Sequence, residues 1–191
     1  VTSQANLPHV QQPVLEGKQF SFTPEWFRFF HEVWTRIGAD KSYGLGGQLN
    51  YNVTQVGNVG AGEDDLMTFS LQKNVLGAAG STLMVASYGS FANNTNNKEL
   101  ALYLGATEIF NISGSGADVQ NIDWYLQTLI TRTGSAAQQC VSTFTTSTLT
   151  KTQIATGTED FTTALTIKCT GEATSNDDIT QKGQIINLNP R

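Results

Sequence analysis

Covalent and acid–base catalysis need a nucleophile or a group titrating near neutrality, held beside a partner that orients it. The chain offers two histidines, His9 and His31. The first lies in a proline-punctuated stretch and the second on the polar side of a predicted helix. No GxSxG elbow supplies a serine for either. Cys140 and Cys169 form no CxxC and no Cys/His ligand spacing, so they imply no metal site. They are expected as two free, buried thiols used as small apolar residues, the alternative being a bridge between neighbouring strands. The acidic run Glu63-Asp64-Asp65 has calcium-type ligands without a calcium-loop spacing, and is expected as a solvated turn before a strand at Leu66. Glu108, Asp118, Asp123 and Glu159 are carboxylates that strand ends could bring together as a glycosidase pair, although nothing in their contexts marks them. GLGG at Gly44–Gly47 and GNVGAG at Gly57–Gly62 lack the GK[ST] ending of a phosphate loop and are expected as linker. Three Asn-x-Ser/Thr sequons, at Asn52, Asn93 and Asn111, arise easily in so Thr- and Asn-rich a chain. The expectation is a protein that is not an enzyme, with no cofactor and no metal.

The elements that would position any site start with TPEWFRFFHEVWTRIG, Thr23–Gly38. Thr23 suits an N-cap, Pro24 the first helical position, Glu25 the positive end of the dipole, and Gly38 the C-cap. At helical spacing, Trp26, Phe27, Phe29, Phe30, Val33, Trp34 and Ile37 fall within an arc of about 160°. The charged and polar residues take the other side. So broad an aromatic face on so short a helix requires a cover, and Trp26, Phe27, Phe30, Val33, Trp34 and Ile37 are expected as interface anchors, the alternative being that the helix caps an open end of its own β-sandwich.

Before the helix, residues 1–22 carry Pro8, Pro13 and Gly17 with no periodicity, as an extended arm would. After it, the period is two. STLMVASYGSFA puts Leu83, Val85, Ser87, Gly89 and Phe91 on one face, and KELALYLG aligns Leu100, Leu102 and Leu104. NNTNN between them reads as a tight polar turn. The pattern continues through ATEIFNIS, WYLQTLITRTG, CVSTFTTSTLT, FTTALTIKCTGEA and QKGQIINLNP, with Leu165, Ile167 and Cys169 expected to point inward. With a strand around Gln48–Val56 this makes eight or nine strands and no helical pattern among them. The fold class expected is all-β: an antiparallel jelly-roll-like sandwich preceded by an extended N-terminal arm and one short amphipathic helix. Residues 1–47 form the arm and helix, for attachment or oligomerisation, and 48–191 the β-domain.

Composition narrows the partners. Charged residues are 14% of the chain, against about 25% in ordinary soluble domains. The formal net charge is −5, and the 11 Lys and Arg form no cluster, so nucleic acid is not an expected partner. No apolar run is long enough to span a membrane as a helix. The N-terminal VTSQANLPHVQQP has neither a basic nor an apolar signal region, so secretory export is not expected unless a signal was removed ahead of Val1.

PVLEGKQFSFTPEWFRFFHEVWTRIG resembles the N-terminal piece of small virion proteins of tailed phages and prophages, in which a proline-containing arm precedes a PEW-F-R-F helix ending in Gly. The run LMTFSLQKNVLGAAGSTLMVASYGSFANNTNNKELALYLGATEIF resembles the β-domain that follows. Its marks are the Tyr88–Ala92 strand end, the Asn-rich turn and the Leu100–Gly105 strand, with Trp124–Gly134 downstream. The resemblance covers most of the chain and implies a structural virion protein, jelly-roll-like and oligomeric, with no catalytic residues to carry over. It implies a location in the virion, on the outer capsid surface, after synthesis in the host cytoplasm. The expected role is a capsid cement or decoration protein whose partners are the major capsid protein or other virion proteins, and sibling copies in a dimer or trimer. The alternative is a short head or tail fibre that attaches through its N-terminal segment and binds a host receptor, glycan or protein, through Asn93–Asn97 and Ser113–Asn121.

Overall fold

The computed structural model describes residues 15–16, 21–22, 24–36, 47–116 and 119–189. Two short strands, β1 (Leu15–Glu16) and β2 (Ser21–Phe22), pair with each other ahead of helix α1 (Pro24–Arg36), which has Glu25 in its first turn. Then come β3 (Gly47–Asn52), β4 (Val56–Gly57), β5 (Gly62–Leu71), β6 (Thr82–Phe91), β7 (Lys98–Leu104) and β8 (Thr107–Gly114). They are followed by β9 (Ile122–Gly134), β10 (Ala137–Thr145), β11 (Thr150–Gly157), β12 (Leu165–Ala173) and β13 (Ile179–Asn189).

The strands form two antiparallel sheets packed as a sandwich. The larger runs β11-β10-β9-β6-β13-β3, with β4 also on β13; the smaller runs β5-β12-β7-β8. The chain keeps crossing between them, and strands from its two ends interleave. β3 and β6 flank β13, while β5 and β7 flank β12. This is jelly-roll-like topology, with the meander β9-β10-β11 widening the larger sheet.

The inward positions are those that the alternation selects. Leu83, Val85 and Phe91 of β6 face Leu100, Leu102 and Leu104 of β7 and Leu165, Ile167 and Cys169 of β12 across the core. Phe110 of the smaller sheet stacks on Phe144 of the larger, ring centroids 5.7 Å apart, and Phe91 and Trp124 continue the aromatic layer. Gly89 is required here because a Cβ would lie 1.9 Å from the Thr180 carbonyl oxygen and 2.6 Å from the Trp124 ring. Gly105 makes the two-residue turn from β7 to β8 at a φ of +59°, a region that favours glycine.

Three expectations are corrected. Glu63, Asp64 and Asp65 are not a turn before a strand but lie within β5. The expected strand count falls short because Thr150–Gly157, TKTQIATG, forms β11 in a segment with a single large apolar residue. Its partner β10 supplies the ladder that its composition does not announce. The expected strand at Gln48–Val56 breaks after Asn52, whose side-chain oxygen accepts the Thr54 N–H at 3.0 Å, and Val56–Gly57 pairs separately with β13.

Candidate functional site

In α1, Trp26 is half-buried, with ring centroids 5.8 Å from Phe29 and 5.6 Å from Phe30. Phe27 is 63% exposed and stacks on His31 at 6.4 Å; Phe30 is 43% exposed. The helix therefore brings Trp26, Phe29 and Phe30 into one aromatic cluster and sets Phe27 beside it. The side chains of Val33 and Trp34, and Ile37 altogether, lie outside the described residues.

The outer face of the smaller sheet is acidic. Glu63, Glu172 and Glu99 stand directly opposite one another across β5, β12 and β7. A shallow recess opens beside them, lined also by Ala101, Tyr103 and Thr170. Burial, then the Glu63 and Glu108 carboxylates, push the Tyr103 hydroxyl up to about 12, so it stays protonated and donates to Glu108 at 3.3 Å. Lys168 lies 5.1 Å above the Tyr103 ring and pairs with Asp65 at 2.8 Å. Among the described residues no group of three or more His, Cys, Asp or Glu has the arrangement of a metal site.

At one end of the sandwich, the Asn-rich turn is occupied by an internal clamp. Asn94 and Asn96 donate their amides to the two oxygens of Asp178, the latter at 2.8 Å, and the Ser175 N–H adds a third bond at 3.0 Å. Buried Lys98 donates to the Asn94 side chain at 2.8 Å and to the Asn94 and Asn96 carbonyls at 3.1 Å. Burial works to raise the Asp178 carboxyl, but the Asn96, Asn94 and Ser175 donors and the Lys98 charge outweigh it and hold it below the usual range. Burial lowers Lys98, against the pull of Asp178. The clamp ties the β6–β7 crossing to the β12–β13 crossing.

The scattered carboxylates have separate work. Glu159 accepts two backbone N–H groups and the Thr107 hydroxyl at the β7–β8 turn, Asp123 pairs with Lys182 at 3.1 Å, and Glu108 takes the Tyr103 bond. Asp118 lies outside the described residues. Cys140 and Cys169 are both free and buried, and burial alone raises their thiols to about 11 and about 12.

What sequence reasoning missed is the outer face of the larger sheet. Ile154, Val141, Leu129 and Met84 stand opposite one another across β11, β10, β9 and β6. Ile185 and Tyr51 continue the surface on β13 and β3. The signal was the single apolar residue recurring at outward positions of Thr-rich strands, visible only once the register is known.

Fold and surfaces together define an all-β, jelly-roll-like protein whose surfaces differ sharply in polarity. No family model matches the chain, and no curated protein matches it.

Proposed function

We propose that the chain is a non-enzymatic structural protein of a tailed-phage virion, a cement or decoration protein that stabilises the head by binding its outer surface through α1. The observation that carries this reading is the helix: 13 residues, with Phe27 and Phe30 exposed, placed ahead of the sandwich. A helix this short is marginal alone, and buried aromatic anchors dominate interface energetics. The resemblance of its PEW-F-R-F sequence to phage virion proteins supports the same assignment. Trp26, Phe27 and Phe30 are the anchors, and helical spacing in the sequence assigns Val33, Trp34 and Ile37 to the same arc. The partner is the major capsid protein or a neighbouring virion protein, and the net charge of −5 suits a surface turned away from packaged DNA.

The test is to add the purified chain to heads that lack it, count copies per particle and heat the particles. Hundreds of copies and a higher bursting temperature are expected. Trp26→Ala with Phe30→Ala should weaken particle binding by at least about 30-fold, the equivalent of about 2 kcal/mol. A protein present in few copies, whose loss stops adsorption and leaves heads sound, is a fibre and ends the cement reading. The Asn94 and Asn96 amides, which a receptor would need, already donate to Asp178.

A further inference from the structure

We propose that the outer face of the larger sheet is a docking surface for a second copy of this chain. Its central row is Ile154, Val141, Leu129 and Met84, one residue from each of four adjacent strands. Ile154 is 65% exposed, Leu129 41% and Val141 37%, while Tyr51 on the far edge strand is 62% exposed. The outward positions flanking that row are Thr and Gln, with Ala86 on β6, and Asn187 extends it onto β13. Among the described residues the only charges on this face are Asp123 and Lys182, which neutralise each other at one end. A contiguous apolar row across four adjacent strands is the kind of surface that marks an interaction site.

Charge selects the occupant. A second copy brings the same net charge of −5. The smaller sheet's outer face sets Glu63, Glu99 and Glu172 in a row, and would repel its own image. The larger sheet's outer face has no such field, and its hydroxyl and amide side chains both donate and accept, so it is compatible with itself across a two-fold axis. A basic partner would be steered instead to the acidic face. Area agrees. Six strands about 4.8 Å apart and some six residues along each give a face of about 24 Å by 20 Å. Side-chain relief raises that toward the ~800 Å² per partner of a standard interface. Two such faces would stack about 10 Å apart with their strands nearly aligned, as the sheets of one sandwich do.

The proposal is independent of the virion reading, and sedimentation of the full chain across a concentration series tests it without any particle. Wild type is expected to be a dimer at micromolar concentration. Leu129→Arg and, separately, Ile154→Lys should each weaken the dimer at least ~100-fold by burying unpaired like charges at the interface, with circular dichroism unchanged. Thr166→Arg, on the smaller sheet's exposed face, should leave the dimer intact. A wild type that stays monomeric overturns the proposal, as does a dimer that survives both charge insertions. So does a dimer that Leu129→Arg leaves intact and Phe27→Ala with Phe30→Ala dissolves, because the helix would then be what joins the copies.

Discussion

In line with Leu129 on the larger sheet, the outward side chains are Ile154, Val141 and Met84; in line with Glu172 on the smaller sheet, they are Glu63 and Glu99. Both rows cross adjacent antiparallel strands, and both sit over the same hydrophobic core. The first exposes apolar surface to water, which costs free energy unless it is covered. The second sets like charges directly opposite, which costs stability within the sheet. Each face thus departs from what folding alone would choose, in opposite directions. Together they give the proposed self-docking one face to use and one that would repel its own image.

The comparison depends first on the core that holds the two faces back to back. Phe110→Ala removes the smaller sheet's half of the stack on Phe144 and should cost about 3–5 kcal/mol in urea unfolding, the largest effect expected. A loss under about 1 kcal/mol would mean that the sheets are held together elsewhere.

Next is the clamp at the crossings. Asp178→Ala leaves the Asn94 and Asn96 amides without their acceptor, takes away the negative charge facing buried Lys98, and should cost about 3 kcal/mol. The pH dependence has a definite sign. The folded carboxyl titrates below the unfolded one, so its contribution is complete above the unfolded value of about 3.9 and is lost as pH falls through the folded value. Thermal midpoints measured from about pH 5 downward should therefore fall more steeply in wild type than in Asp178→Asn.

A smaller effect distinguishes the acidic face. Glu172→Gln removes the middle charge of the row and should stabilise the fold by about 0.2–1 kcal/mol, more at low salt than at high. Destabilisation instead would mean that Glu172 itself has a favourable partner, as Glu99 has in the Asn111 amide. Smallest is Val141→Thr on the apolar face, which should leave the folding stability of the isolated subunit within about 0.5 kcal/mol. A larger loss would place Val141 in the subunit's own packing and blur the contrast between the faces.

Much of the fold was legible in the residues because period-two alternation is a local signal. Leu83, Val85 and Phe91, or Leu165, Ile167 and Cys169, announce an inward face without reference to any partner strand. β11 did not, since TKTQIATG has little apolar content, and it is held by its ladder to β10 and by Lys151, which donates to the Asn111 carbonyl at 2.6 Å. The acidic run at Glu63 looked like a turn because carboxylates are rare in strands. There Glu63 and Asp65 take outward positions, Asp65 meeting Lys168 and Glu63 lying opposite Glu172 and beside the Tyr103 hydroxyl, while Asp64 accepts the Val59 N–H at 2.7 Å.

The sequence by itself determined the all-β class, the short aromatic helix, the inward faces of most strands and the burial of both thiols, because these follow from local patterning and residue type. Only the tertiary structure decided which strands are neighbours, and therefore that Ile154, Val141, Leu129 and Met84 make one row while Glu63, Glu172 and Glu99 make another. Register is a long-range property. It joins residues far apart in the chain, through backbone hydrogen bonds common to every residue type except proline, so single strands read alone do not reveal it.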